Sequence, residues 1–328
     1  MSKSIHRTPT GSANRWALVL AAGEGTRLRA LTTDRSGIAV PKQFCSLQGG
    51  PSLLEETLQR AARLAPRDRI VTVVAADHRP WWQSELANLP ERSIVVQPSN
   101  RGTAPGILLP LLSILERDPK ARIAVLPSDH FVADEISLAQ SIGAAFDAVE
   151  RDPGRLVLLG IEPDAPETEY GWILPRAGAD FGLAEVEAFV EKPEARLAAE
   201  LLARGAVWNS FLFVARAATL LKLFRKRLPE LAAAFERTAK RKGDRAAALA
   251  ELYQELEAAD FSRRLLQQSA AELRLLSVPA CGWSDLGTPT RVAQCLQRLP
   301  RATRRPRWFP VSPPAVVDLA QAVTSAAF

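Results

Sequence analysis

Two glycines, an arginine and a later lysine are the residues of this chain whose types and spacing best suit phosphate chemistry. Residues 20–28 are Leu-Ala-Ala-Gly-Glu-Gly-Thr-Arg-Leu, and residues 41–44 are Pro-Lys-Gln-Phe. The apolar run at 16–20 predicts a buried parallel strand before the glycines. A glycine turn after such a strand brings backbone N–H groups against a phosphate, and the two cations indicate a polyanion. Nucleotide binding is therefore the first hypothesis.

Two well-known phosphate loops do not match residues 22–28, which we call the glycine loop. No Gly-Lys-Ser/Thr sequence ends it, as a P-loop requires, and Leu28 stands where the dinucleotide fingerprint needs a third glycine. By itself, a tight turn carrying a surface arginine explains the pattern equally well. Lys42 makes the phosphate interpretation more specific, because a lysine is a compact point charge that suits a phosphate group.

Two aspartates follow predicted strands and suit a magnesium ion. Asp129 lies in the sequence Pro-Ser-Asp-His after an apolar run, and Asp285 lies in Trp-Ser-Asp-Leu-Gly. Mg²⁺ takes one or two carboxylates together with phosphate oxygens and water. Each aspartate alone is also typical of a helix cap or an Asx turn. Two carboxylates at strand ends beside a phosphate loop favour a shared metal.

Four later residues have the chemistry of a sugar-phosphate site. Lys192 can bind a second phosphate and Glu191 a substrate hydroxyl, although a solvated charge pair is the simpler interpretation. Trp208 and Asn209 supply an aromatic face and an amide that suit a sugar ring. A buried tryptophan in a core strand is equally consistent with the pattern.

The elements around these residues alternate between strands and helices. Strands are predicted at 16–20, 69–75, 93–97, 122–126 and 156–160, and helices at 52–64, 103–115 and 135–149. This alternation predicts an α/β fold with a mostly parallel sheet, whose ligands bind at the carboxyl ends of the strands. Two strands at 170–174 and 185–190 have no helix between them, which predicts a hairpin-like or mixed section. The polar loop 97–105 offers helix caps, or groups that bind a nucleobase edge.

Composition and charge exclude several classes of protein. The chain has 328 residues, 47% of them hydrophobic and 24% charged, and no apolar run long enough for a membrane helix. The polar start predicts no secretory signal, so we expect a cytoplasmic protein. The net charge of +6 is concentrated in residues 1–15 and 298–328, and the remaining body is near neutral. We therefore expect no nucleic-acid or membrane partner, although a basic tail is able to bind either.

The cysteines and histidines do not form a predicted metal site or disulfide framework. Cys45, Cys281 and Cys295 are scattered and odd in number, and the three histidines lack metal-ligand spacing. Cys45 lies beside the candidate phosphate site, where a buried structural thiol is the favoured interpretation. We interpret His130 as structural.

Eight motifs together give the chain a recognisable resemblance. They are residues 23–28, 41–44, 100–105, 127–130, 170–171, 189–193, 208–210 and 283–287. In this order they resemble the motifs of sugar-1-phosphate nucleotidyltransferases, and most closely those of bacterial mannose-1-phosphate guanylyltransferases. The resemblance runs from about residue 16 to residue 290.

The resemblance implies a fold and a reaction. It implies one Rossmann-like α/β domain at 16–297 with a mostly parallel mixed sheet flanked by helices. Composition and charge, apart from the resemblance, predict a flexible segment at residues 1–15 and a basic, Pro-rich tail at residues 298–328. Removal of residues 299–328 should leave the reaction intact. The implied reaction joins a nucleoside triphosphate, GTP, to a sugar 1-phosphate, mannose 1-phosphate. It uses Mg²⁺ and yields GDP-mannose and pyrophosphate. A homo-oligomer is left open.

The resemblance also implies roles for individual residues. Arg27 and the backbone of Ala22, Gly23, Gly25 and Thr26 would hold the leaving phosphates, and Lys42 would stabilise the α-phosphate. Asp129 and Asp285 would bind Mg²⁺, and Lys192 would hold the sugar phosphate. Gly171, Glu191, Trp208 and Asn209 would bind the sugar, and Gln97, Asn100, Gly102 and Thr103 would line the base pocket.

Departures from the family pattern leave the identity of the sugar open. Phe211 stands where the family usually has glycine, Trp172 stands where it usually has tyrosine, and residues 33–37 lengthen the first loop. Another base or hexose 1-phosphate therefore remains an alternative. So does a non-catalytic protein that binds a nucleotide-sugar and regulates a partner. Such proteins typically lose the loop arginine, the lysine or a metal carboxylate, whereas this chain has Arg27, Lys42, Asp129 and Asp285.

Overall fold

The computed structural model describes residues 14–34, 37–176, 182–298, 317–320 and 323. One nine-stranded sheet organises them, in the spatial order β3-β2-β1-β4-β8-β5-β9-β7-β6, and β8 also pairs with β6. The strands are β1 Arg15–Ala21, β2 Ile70–Ala75, β3 Ile94–Gln97, β4 Arg122–Pro127, β5 Leu156–Ile161, β6 Gly171–Pro175, β7 Leu183–Glu191, β8 Val207–Arg216 and β9 Leu273–Val278.

The sheet is mixed, which confirms the predicted α/β class. Strands β3, β2, β1 and β4 are parallel, as is the pair β5–β9. In the second half, where the sequence predicted a hairpin-like or mixed section, β8 runs antiparallel to β4 and β5, and β7 runs antiparallel to β6 and β9. The predicted hairpin-like section is the β6–β7 pair, whose connection is too short for a parallel crossover.

Ten α-helices flank the sheet in the described residues. They are α1 Arg29–Thr32, α2 Leu53–Leu64, α3 Arg79–Glu85, α4 Thr103–Arg117, α5 Glu135–Arg151, α6 Ala195–Ala203, α7 Ala217–Arg227, α8 Pro229–Lys240, α9 Arg245–Glu255 and α10 Pro289–Arg298. A short π-helix spans Ser262–Leu266. No helix among these described residues is both long and apolar enough to cross a membrane.

Two large apolar clusters show that the sheet is the middle of three layers. Along β1, Ala17, Val19 and Ala21 belong to the cluster that contains α2 and α5, whereas Trp16 and Leu18 belong to the cluster that contains α4 and α7. This alternation follows from the two-residue period of a strand. Burial on both faces explains why β1 is a nearly continuous apolar run, and the glycine loop begins directly after this strand.

A short segment near the carboxyl terminus returns to this edge of the sheet. Ser46 N donates to Val317 O at 2.9 Å, and Leu319 N donates to Ser46 O at 2.9 Å. Leu319 is fully buried in the apolar core. The predicted flexible segment 1–15 lies almost wholly outside the described residues, as do residues 299–316 of the predicted tail. At residues 317–320, however, the chain is attached to the domain and is not a free tail.

Candidate active site

The glycine loop is packed directly against the lysine motif, residues 41–44. Gly25 has a φ of 61°, and a Cβ there would lie 3.0 Å from the backbone N and the Cβ of Lys42. Only glycine combines this left-handed backbone with so close an approach. Gln43 Nε2 donates to Ala21 O at 3.1 Å and to Gly23 O at 3.0 Å. The two motifs predicted to bind phosphate therefore form one structural unit.

Lys42 is a buried cation at the centre of the site. Its Nζ lies 2.9 Å from Asp129 Oδ2, and it also donates to Asp285 O at 2.5 Å. Burial favours the neutral form of Asp129, but the Lys42 ammonium outweighs it and holds the pKa of this carboxyl below its usual range. Asp129 is therefore ionised at neutral pH, and Lys42 touches both segments that carry the predicted metal ligands.

Asp285 is oriented by a hydroxyl that the sequence did not reveal as functional. Tyr170 Oη donates to Asp285 Oδ1 at 2.5 Å, and Gly287 N donates to the same oxygen at 2.9 Å. Burial and the Asp285 charge raise the pKa of Tyr170, so it remains a donor. Residue 170 belongs to one of the motifs quoted above. Its distance of more than a hundred residues from Asp285 hid the contact.

The two aspartates are brought to the same edge by an isolated bridge between their chain segments. Phe131 N donates to Ser284 O at 2.9 Å, and Ser284 N donates to Phe131 O at 3.0 Å. A Cβ at Gly287 would lie 2.2 Å from Asp285 Oδ2, so this glycine keeps space beside the carboxylate. The two carboxylates, carried on adjoining segments, supply the hard oxygen donors that fit Mg²⁺.

Three of the predicted sugar-binding residues meet at one corner. A Cβ at Gly171 would lie 2.6 Å from Glu191 Oε2 and 3.3 Å from Asn209 Cβ, so the glycine makes room for both side chains. Glu191 Oε2 is buried without a hydrogen-bond partner in the described part of the chain. Burial, reinforced by the charge of Asp260, raises the pKa of Glu191 to about 7. A buried oxygen of this kind is costly unless a ligand group pairs with it.

Lys192 joins this corner to the metal side. Its backbone N donates to Tyr170 O at 3.1 Å, while Lys192 itself is exposed. The position of Trp208 argues against the predicted sugar-stacking role. This residue is 3% exposed, the Arg291 guanidinium lies 4.8 Å from its ring centroid, and Tyr170 packs edge-on at 4.9 Å. Trp208 is thus buried, as the alternative interpretation has it, but its Nε1 lacks a hydrogen-bond partner in the described residues, and a sugar-binding role stays a prediction.

Of the four residues predicted to line the base pocket, three hold the loop in place and one has a side-chain oxygen without a hydrogen-bond partner. Asn100 Oδ1 accepts from Gly102 N at 2.9 Å, and Thr103 Oγ1 accepts from Phe261 N at 2.8 Å. Gly102 has a φ of 87°, and a Cβ there would lie 2.5 Å from Ala259 O. These three residues hold the loop to the segment before the π-helix. Gln97 is 1% exposed, and its Oε1 lacks a partner among the described residues, which leaves it available to a ligand.

Backbone strain is concentrated in the same motifs. Among the described residues, the non-glycine residues with positive φ are Lys192 at 49°, Phe211 at 59° and Leu286 at 48°. Each adjoins or belongs to a motif that carries predicted site residues. Such conformations cost on the order of 1–3 kcal/mol and cluster at active sites. The Phe211 angle also explains why a glycine is usual at this position in the family that the motifs resemble.

The remaining site predictions have simple outcomes. Arg27 Nη1 forms an exposed ion pair with Glu169 at 3.0 Å, so the glycine loop reaches the segment before Tyr170. Cys45 is a buried free thiol, as predicted, and burial raises its pKa to about 12. His130 packs edge-on against Trp283 with ring centroids 5.3 Å apart, and its Nδ1 is buried without a partner in the described residues, so its structural role stays a prediction.

Comparison with known proteins gives a consistent result. The model of the family described as nucleotidyl transferase matches residues 16–300. The xanthan biosynthesis protein XanB of Xanthomonas campestris pv. campestris (strain B100) is 35% identical over 277 residues, which are 83% of this chain and 57% of XanB. The mannose-1-phosphate guanylyltransferase of Escherichia coli (strain K12) is 33% identical over 231 residues, which are 68% of this chain and 47% of that protein.

A solved structure shares the fold. The crystal structure of mannose-1-phosphate geranyltransferase from Thermus thermophilus has a TM-score of 0.74 and 31% identity, covering 88% of this chain and 80% of that one. The chain spans about half the length of the curated relatives it matches. From the family match over most of its length, the chain belongs to the nucleotidyl transferase family.

Proposed function

We propose that this chain transfers GMP from GTP to mannose 1-phosphate, giving GDP-mannose and pyrophosphate. The observation that carries the proposal is an unbroken set of contacts from the phosphate loop to the sugar corner. Gly25 packs on Lys42, and Lys42 contacts Asp129 and the Asp285 backbone. Tyr170 then connects Asp285 to Lys192 through its hydroxyl and carbonyl. Along this path come a phosphate loop, a lysine with two carboxylates, and a sugar corner. The substrates carry their groups in the same order: the leaving phosphates, the α-phosphate, and the sugar with its phosphate.

The chemistry requires positioning and charge neutralisation more than proton transfer. An oxygen of the sugar 1-phosphate attacks the α-phosphorus of the triphosphate, the new P–O bond forms, and the bond from that phosphorus to the bridging β-oxygen breaks. The attacking oxygen is already anionic, so no general base is needed. The main obstacles are the repulsion of two anions and their in-line alignment.

The cations of the site are suited to meet these obstacles. Lys42 is held at the centre by Asp129, and its ammonium would neutralise charge on the oxygens of the α-phosphate under attack. Arg27 and the N–H groups of the glycine loop receive the leaving pyrophosphate. Lys192 receives the phosphate of the sugar. Asp129 and Asp285 would hold Mg²⁺, which when bound supplies further neutralisation of phosphate charge.

Two buried oxygen atoms without hydrogen-bond partners indicate where the sugar and the base of the substrates would bind. Glu191 Oε2 and Gln97 Oε1 lack partners in the described residues and lie in the motifs assigned to sugar and base. A sugar hydroxyl would satisfy Glu191, and an amino or imino N–H of a base would satisfy Gln97. Relatives named mannose-1-phosphate guanylyltransferase support mannose and guanine as the specific substrates.

A substrate panel tests this proposal. The purified chain is incubated with Mg²⁺, one of four nucleoside triphosphates and one of several hexose 1-phosphates, and pyrophosphate release is measured. We expect the highest kcat/KM with GTP and mannose 1-phosphate. A higher value with another pair would replace these substrates but keep the reaction. Product binding without any pyrophosphate release would instead indicate a non-catalytic, regulatory protein.

Metal-ligand variants test the mechanism. We expect Asp129→Asn and Asp285→Asn each to lower kcat at least ~100-fold, because each loses a charge that holds the metal, and Asp129→Asn also loses the ion pair with Lys42. Asp147→Asn is the matched control, since Asp147 is an exposed helix residue paired with Arg15. Near-normal rates in both site variants would contradict the metal assignment.

A further inference from the structure

His78 is a buried imidazole beside the glycine loop with no role in the function proposed above. It lies in a short helical turn, Ala76–His78, directly after β2, and is 4% exposed. Its Nδ1 is buried without a hydrogen-bond partner in the described residues. Since an unpaired buried ring nitrogen is costly, its retention calls for a ligand or a compensating role.

Aromatic packing holds this imidazole in place. The rings of Phe44 and Trp81 each meet it edge-on, with centroids 6.1 and 6.0 Å away, and stack on each other at 6.2 Å. Phe44 belongs to the lysine motif. The position of the ring is therefore fixed by the same motif that supports Gly25 and carries Lys42.

Two carboxylates complete a group around His78. One ring nitrogen of His78 and one oxygen each of Glu24 and Asp77 all lie within 4.8 Å of one another. Glu24 comes from the glycine loop after β1, and Asp77 and His78 come from the end of β2. Because β1 and β2 are parallel neighbours, their carboxyl ends place these residues together, although they are far apart in sequence.

The negative charge of this group is unusual beside a loop that is predicted to bind phosphate. Glu24 and Asp77 are both exposed, and Glu24 lies between the two glycines of a loop whose chemistry suits a polyanion. Two carboxylates there repel phosphate unless a cation lies between them.

We propose that Glu24, Asp77 and His78 form a divalent-cation site, separate from the Asp129–Asp285 pair. Two carboxylates and one imidazole are a mixed oxygen and nitrogen ligand set, which suits Mn²⁺ better than Mg²⁺, because Mg²⁺ prefers oxygen ligands alone. A cation here contacts the phosphates that the glycine loop holds and neutralises their leaving charge. That link to the reaction rests on the proposed function, whereas binding of the cation does not.

Mn²⁺ titration without nucleotide tests the site directly. Free Mn²⁺ is followed by electron paramagnetic resonance in the background Asp129→Asn/Asp285→Asn, which removes the other pair. We expect one Mn²⁺ to remain bound in this background. Adding Glu24→Gln or Asp77→Asn should weaken its binding at least ~10-fold, because each removes a direct ligand. Glu91→Gln and Asp68→Asn are matched controls, since both residues are exposed and lie in other short turns.

A spectroscopic signature separates a ligand from a merely structural histidine. Coordination by His78 gives the bound Mn²⁺ a nitrogen modulation in spin-echo spectra, and His78→Gln should abolish it. Glu24→Gln changes only an exposed side chain, so the proposal remains falsifiable if His78→Gln fails to fold. Loss of all Mn²⁺ binding in the double-variant background would overturn the site, as would binding unaffected by Glu24→Gln and Asp77→Asn. Pyrophosphate release by the unmodified chain tests the proposed function separately.

Discussion

Glu191 illustrates how a single carboxyl couples the sugar corner to pH. Its pKa is raised from 4.5 to about 7, first by burial and then by the charge of Asp260, so the folded chain holds this proton more tightly than the unfolded chain. Its stabilising contribution is fully present below pH 4.5 and is lost as the pH rises to about 7. The sugar hydroxyl proposed above would change this balance by pairing with Glu191 Oε2.

We predict that Glu191→Gln removes this pH dependence. Between about pH 4.5 and 7, the free energy of unfolding of the unmodified chain should fall relative to that of Glu191→Gln by on the order of 2 kcal/mol. Urea unfolding at several pH values measures this difference between the two proteins. Glu85, another carboxyl with a raised pKa, is present in both and therefore cancels from the difference. A constant difference across this range would contradict a buried, protonated Glu191.

Arg27 is partly engaged before any substrate arrives. Its pair with Glu169 is half-exposed on both sides, so it is worth at most about 1 kcal/mol. We predict that Glu169→Gln frees Arg27 for phosphate and lowers the KM for the triphosphate about two- to threefold, with the largest effect at low salt. Steady-state kinetics at two salt concentrations measure the change.

The control for this prediction is Glu162→Gln, an exposed carboxylate in the same connection. It should leave the KM unchanged at both salt concentrations. A higher KM in Glu169→Gln would show that Glu169 supports Arg27 in the bound state instead of competing with phosphate.

At the scale of elements, strand β8 carries a conformation that its sequence opposes. Phe211 adopts a φ of 59° at a bulge where β8 changes register against β5, and its ring packs on Phe261. A left-handed conformation costs a non-glycine residue about 1–2 kcal/mol. The usual order, in which alanine is better than glycine within a strand, should therefore be reversed here.

We predict that Phe211→Gly is more stable than Phe211→Ala by about 1 kcal/mol, because both variants lose the ring and only glycine relieves the strain. Thermal or urea unfolding measures the difference. The same two substitutions at Phe213 provide the control. This neighbour in β8 lies in regular pairing with Leu158, where alanine should be the better residue. If the alanine variant were the more stable one at both positions, the result would argue against strain at Phe211.

The elements themselves were largely predictable, because local sequence determines them. Apolar runs such as 122–126 and helical periodicity such as 135–149 correspond closely to β4 and α5. The pairing direction in the second half was not predictable. Whether β8 lies between β4 and β5 depends on packing among distant segments, which periodicity does not contain. Similarly, Tyr170 and Asp285 were both visible in motifs, but their hydrogen bond required the fold.

At the scale of the whole molecule, the least predictable feature is the returning segment at residues 317–320. Basic and Pro-rich composition suggested a tail that is dispensable for the reaction. The structure instead places Leu319 in the core and pairs it with Ser46, which follows the lysine motif. Through these hydrogen bonds the segment supports the loop that carries Lys42. Composition describes the average of a region and misses one short apolar anchor within it.

We predict that Leu319→Ala detaches this segment and lowers kcat roughly threefold or more, because small displacements of a positioned cation are costly. Hydrogen exchange gives the direct readout, since the amides of Ser46 and Leu319 both donate in the pairing and should lose protection. Removal of residues 317–328 should have the same effect on Ser46. Leu197→Ala, at an exposed helix position, is the matched control. Unchanged protection at Ser46 together with an unchanged kcat would restore the interpretation of this region as a dispensable tail.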